Sequence, residues 1–131
     1  MHRRAAGVLT LLLLAAGCAG PRSAAQAPAA ATVREPEASS PSGKPLFPPP
    51  LTADRKAELE SRLAEARAQR EKTPDDPDAV IWLGRRTAYL GRFRDAVAIY
   101  SEGIAKHPRH AKLYRHRGHR YITVREFDRA V

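Results

Sequence analysis

Residues 74–107 read PDDPDAVIWLGRRTAYLGRFRDAVAIYSEGIAKH, and residues 108–131 start the pattern again as PRHAKLYRHRGHRYITVREFDRAV. Aligned without a gap, Pro74, Gly84, Phe93, Ala96 and Val97 recur thirty-four residues later as Pro108, Gly118, Phe127, Ala130 and Val131. A fixed period of this length is the signature of stacked helical hairpins, each burying its apolar face only against its neighbours. The expected fold class is therefore all-α, a solenoid of antiparallel helical hairpins.

Working outward within one copy, Asp75 and Asp76 suit a helix start and Pro77 sits at an early helical position, where its missing N–H costs little. A first helix is predicted from Pro77 to Leu90. Gly91 ends it by permitting a left-handed turn, a second helix spans Arg92 to Lys106, and Pro108 closes the unit. Upstream, Thr52 can cap a helix that runs through Lys72 without Gly or Pro, and Asp54 suits its N-terminal dipole. Leu59, Leu63 and Ala66 give that helix a narrow apolar stripe, with Glu58 and Arg62 one turn apart. Because Pro74 is in register with Pro108, residues 52–73 occupy the slot of a second helix from a preceding unit, and we read them as an N-terminal capping helix.

Ala79, Leu83-Gly84, Gly91-Arg92-Phe93, Ala96, Tyr100, Gly103 and Pro108 resemble the tetratricopeptide repeat. Residues 74–108 form the first repeat, and residues 109–131 form a second one that stops early in its second helix. That interruption suggests a longer natural product carrying further repeats. Small residues at Gly84 and Ala96 suit a close helix crossing, while Phe93 and Tyr100 fill the space between hairpins. Val80, Thr87 and Gly103 depart from the family's usual Trp, Tyr and Ala.

The N-terminus has a different character. Arg3 and Arg4 precede the apolar run Val8 to Ala16, which is shorter than the about 20 residues of a membrane-spanning helix. Residues 1–17 read as an export signal, and Leu14-Ala15-Ala16-Gly17-Cys18 resembles the lipobox of bacterial lipoproteins. By that resemblance Cys18, the single cysteine, is lipidated and attaches the chain to a membrane. Ala19 in place of Asp then favours the outer membrane, with the protein facing the periplasm. Residues 18–51 are rich in Ala, Pro and Ser and hold eight of the eleven prolines between Pro21 and Pro50. They read as a disordered linker, in which Leu46-Phe47 would dock a partner, pack on the first helix or do neither.

In the tetratricopeptide family the concave surface is lined by the first helix of each repeat. Transferred by alignment, the resemblance implies a groove of Asp78, Ile81, Trp82, Arg85 and Tyr89 from one copy and Lys112, Arg115, His116, His119 and Thr123 from the next. Charge supports a basic groove: 23 Lys and Arg stand against 14 Asp and Glu, and no acidic residue occurs from Gly103 to Arg125. An acidic protein or peptide is the expected partner, with an anionic glycan or lipid headgroup as the alternative and nucleic acid disfavoured outside the cytoplasm. The competing reading makes these arginines a solvated face. The family's carboxylate clamp uses Asn, and this chain has none.

No cofactor or metal is expected. His116 and His119 lie three apart on one helix, but no carboxylate or thiolate accompanies them and their neighbours are cationic. Nor does the sequence carry a phosphate-binding glycine loop, a recognisable nucleophile and base, or paired carboxylates. The expectation is an interaction scaffold of the bacterial envelope rather than an enzyme, with the recognition arm of a larger enzyme as a further alternative. Self-association through the half-finished hairpin is also open.

Overall fold

The computed structural model describes residues 35–131. The residues read as an export signal, Cys18 and the expected linker up to residue 34 lie outside the described residues. The order is a short hairpin of β1 (Ala38–Ser39) and β2 (Pro45–Leu46), then helices α1 (Ala53–Lys72), α2 (Pro77–Tyr89), α3 (Phe93–Lys106) and α4 (Ala111–Thr123), and a 3₁₀ turn at Phe127–Arg129. The molecule is thus mainly helical, with consecutive helices packed as antiparallel neighbours across short turns and α2 also reaching α4. Among the described residues no helix is long and apolar enough to cross a membrane.

The helix ends follow local chemistry. Thr52 caps α1 by accepting from the Arg55 N–H at 3.3 Å, and Asp76 caps α2 by accepting from the Asp78 N–H at 2.9 Å. The α1 residues that face inward are Leu59, Leu63 and Ala66, the same stripe visible in its sequence. The main core gathers Val80, Ile81, Ala88, Ala96, Tyr100, Ile104 and Leu113 from α2, α3 and α4. Ala96 is fully buried and Tyr100 is 1% exposed. A Cβ on Gly84 would come within 2.4 Å of the Tyr100 ring, so α2 and α3 meet at a point where no side chain fits. Thr87, buried without an aromatic hydroxyl of its own to place, satisfies its oxygen by donating to the Leu83 carbonyl at 2.9 Å.

The sequence period is also a period of the backbone. Thr73 and His107, thirty-four residues apart, have φ/ψ of −128/69° and −127/66°. Leu90 and Val124 match at −82/6° and −88/7°, and Arg92 and Glu126 at −93/68° and −93/64°. At the helix-ending turn Gly91 has φ 76° and its counterpart Arg125 has φ 62°, so the second copy keeps the left-handed turn although its residue is not glycine.

The described part of the linker, residues 35–51, carries the β1–β2 hairpin and folds back as a strap along the α2–α3 and α4–Phe127 turns. Ala38 pairs with Leu46 across the hairpin, and Gly43, at φ 77°, turns its tip. The reason is a set of long-range contacts that composition does not report. Ala38 is buried against Tyr121 and Val124, with Leu46, Phe93, Val97 and Ala130 around them, and the Glu37 carboxylate accepts from the Arg94 N–H at 2.9 Å. Helix α3 has no side-chain cap of its own, so Glu37 fills that role from 57 residues away. Leu46 packs against the cluster of Ala38, Tyr121 and Val124, and Phe47 stays about half exposed.

Candidate functional site

The residues proposed as a groove sit on α2 and α4, the two helices that start each sequence copy. On α2, the Arg85 guanidinium lies 4.4 Å from the Trp82 ring and donates to the Tyr89 hydroxyl at 3.0 Å. Arg86 covers Trp82 as well, at 5.0 Å. Trp82 and Tyr89 are each nearly half exposed, so the aromatic surface is real but shared with two arginines of its own helix.

Helix α4 brings His116 against the core. Its ring stacks on Tyr100 with centroids 5.8 Å apart, and burial, reinforced by the positive charges of Arg115, Arg85, His119 and Arg120, holds its pKa below the ordinary histidine value. The imidazole is therefore neutral at pH 7 and serves as a wall of the site. The Tyr89 hydroxyl shifts the other way from a buried phenol: the hydrogen bond from Arg85, with the charges of Arg85, Arg86 and Arg120, lowers its pKa despite some desolvation. Beneath them, burial pushes the Tyr100 phenol up to about 12.

Arg85 lies over Trp82 and donates to the Tyr89 hydroxyl, while Arg120 lies 5.6 Å from the Phe93 ring, so α2 and α4 each bring a permanent cation to these aromatic side chains. Among the described residues neither is paired with a carboxylate; the seven ion pairs join other residues. Arg115 is likewise in none of them and is exposed. Cations without a carboxylate partner give a local positive potential that a bound anion would relieve.

Several expected members behave differently. Lys112 is joined to Asp78 at 3.5 Å, which compensates both charges at the start of the two helices. Ile81 is 5% exposed and belongs to the main core with Val80, Ala88 and Leu113, not to an open groove. His119 and Thr123 are exposed, and the Thr123 hydroxyl is occupied by the His119 carbonyl at 2.9 Å. Arg120 was not among the aligned groove positions, since its counterpart Arg86 lies off that face. The signal that could have found it is the acid-free run from Gly103 to Arg125, of which it is a part. Its guanidinium sits 5.6 Å from the Phe93 ring, which ties the basic face to the start of α3 and so to the strap.

Among the described residues no three His, Cys, Asp or Glu side chains converge as a metal site requires. In the turn between the copies, His107 Nε2 and His110 Nδ1 are buried without a hydrogen-bond partner in the structure, flanked by Lys106 and Arg109. In comparison with known proteins, the chain matches no family model, no curated protein and no solved structure.

Proposed function

We propose that this chain is an interaction module of tetratricopeptide type, attached to the bacterial envelope through lipidated Cys18 and binding an acidic protein segment on the face between α2 and α4. The observation that supports the binding surface most directly is that Arg85, held on Trp82 and Tyr89, and Arg120, held on Phe93, have no carboxylate partner among the described residues. The resemblance of the repeat pattern, matched by the recurring turn dihedrals, supports the tetratricopeptide reading. The tether rests on the lipobox-like residues around Cys18. On this reading the protein holds a partner near the membrane and catalyses nothing.

The test is binding of a fluorescently labelled glutamate-rich peptide, followed by anisotropy across a salt series. Affinity should fall as salt rises. Arg85→Ala and Arg120→Ala should each weaken binding about two- to fivefold, as expected for exposed ion pairs of about 0.5–1 kcal/mol. Vesicles of anionic lipid serve as the comparison: salt-sensitive binding to them with none to the peptide would replace the acidic segment by a headgroup. Unaltered peptide binding in both variants would refute the face itself.

A further inference from the structure

The strap leaves a cavity of about 430 Å³ between Pro48–Leu51 and the α2–α3 turn, half open to solvent. Its walls are three consecutive prolines and Leu51 on one side and Tyr89, Leu90 and Phe93 on the other, with Lys56 of α1, itself paired with Glu60 at 2.9 Å, also lining it. Proline fixes its own φ, so Pro48-Pro49-Pro50 holds the chain extended. Both ends of the proline run are fixed, by the hairpin seated on Tyr121 and Val124 at one end and by the Thr52 cap of α1 at the other. The cavity is thus preformed, at the small end of the range of ligand sites.

Tyr89 belongs to this cavity and to the basic face at once. Its ring lines the cavity and its hydroxyl is held by Arg85 at 3.0 Å, in reach of the charges of Arg86 and Arg120. Phe93 is shared in the same way, lining the cavity while Arg120 lies 5.6 Å from its ring. An apolar, ring-walled recess with a cationic rim is complementary to one kind of ligand.

We infer that the cavity under the strap is a specificity pocket for an aromatic side chain flanked by carboxylates in the partner segment. This rests on the reading of the α2/α4 face as an acidic-peptide surface. The carboxylates lie against Arg85 and Arg120, and the ring enters between the prolines and Leu90 and Phe93, where flat faces can stack. The strap thereby contributes half of the recognition site.

Two blocked, labelled peptides test this on the full chain: Glu-Glu-Trp-Glu-Glu and Glu-Glu-Ala-Glu-Glu. The Trp peptide should bind at least about tenfold more tightly, the return for burying one large aromatic side chain. Leu51→Trp, made at a position 39% exposed on the cavity wall, fills the pocket from within and should collapse that ratio towards one. Equal binding of the two peptides to the unaltered chain overturns the pocket while leaving the basic face standing. A tenfold ratio that survives Leu51→Trp, in a variant with an unchanged melting curve, places the ring elsewhere and also overturns it. Binding of neither peptide removes the face and the pocket together.

Discussion

Replacing Gly84 by Ala adds one methyl group at the tightest point of the α2–α3 crossing. The new Cβ would stand 2.4 Å from Tyr100 Cε1, 2.5 Å from Cζ and 2.9 Å from the hydroxyl oxygen, all well inside van der Waals contact. Tyr100 cannot swing aside at low cost, because it is 1% exposed and packed within the main core. Overpacking costs about 1–3 kcal/mol, and an approach this close to an immobile ring belongs in the upper part of that range, about 2–3 kcal/mol, against a gain of about 1 kcal/mol from better helix propensity. The net expectation is a loss of about 1–2 kcal/mol, lowering the melting temperature by about 4–16 °C for a domain of this size. The same substitution at the repeat-equivalent Gly118 meets only the Ala130 carbonyl oxygen, at 3.0 Å, on a segment that can shift by a few tenths of an ångström. There the propensity gain should equal or exceed the cost. Thermal unfolding followed by circular dichroism at the helical band measures both. A Gly84→Ala protein as stable as the unaltered chain, or a Gly118→Ala protein destabilised to the same degree, would show that the crossing is not set by the Tyr100 contact.

Three other outcomes are expected. Arg125→Gly should stabilise the fold by about 1 kcal/mol, seen as a higher urea midpoint, because Arg125 holds φ 62° where its counterpart is Gly91. Glu37→Ala removes the borrowed cap of α3 and should cost about 1 kcal/mol, read locally as faster hydrogen exchange of the Arg94 amide while α1 is unaffected. Stability should also decline at both ends of the pH range. Tyr100 ionises near 10 when unfolded but near 12 when folded, so its contribution is full below pH 10 and is lost as pH rises towards 12, and Tyr100→Phe should flatten that limb. His116 is held below its unfolded value near 6.5, so the unfolded chain takes up the proton first and stability falls as pH drops below that value. Urea midpoints across the pH series check both signs.

The helices were legible because their information is local. Thr52, the Asp76-Pro77 pair and Gly91 act on backbone groups within a few residues, and the Leu59–Leu63–Ala66 stripe needs only helical spacing to be read. The repeat added register, which sorted Trp82, Arg85 and His116 onto neighbouring helices. The strap was not legible, because Glu37 serves a helix far along the chain and Ala38 is buried for being small rather than for being strongly apolar. Neither property differs from those of a solvated linker until the partner surface exists. The same limit explains the site: repeat alignment places Arg120 off the groove, whereas its proximity to Tyr89 and Phe93 depends on how α4 sits against α2 and α3. It also explains Ile81, which aligns with the groove but is taken by the core.

The junction at Arg94 has a mechanical consequence. Its backbone N–H holds Glu37 of the strap and its guanidinium holds Glu126 at 2.8 Å, while burial raises and two arginine hydrogen bonds, from Arg94 and Arg129, more strongly lower the Glu126 pKa, keeping that carboxylate charged. A pull arriving along the chain at Glu35 therefore enters the folded part through Ala38 and the seam between α3 and α4. It reaches α1 only after the strap has been peeled away. The first element in the sequence order of helices is in this way the last to feel load from its own N-terminal side.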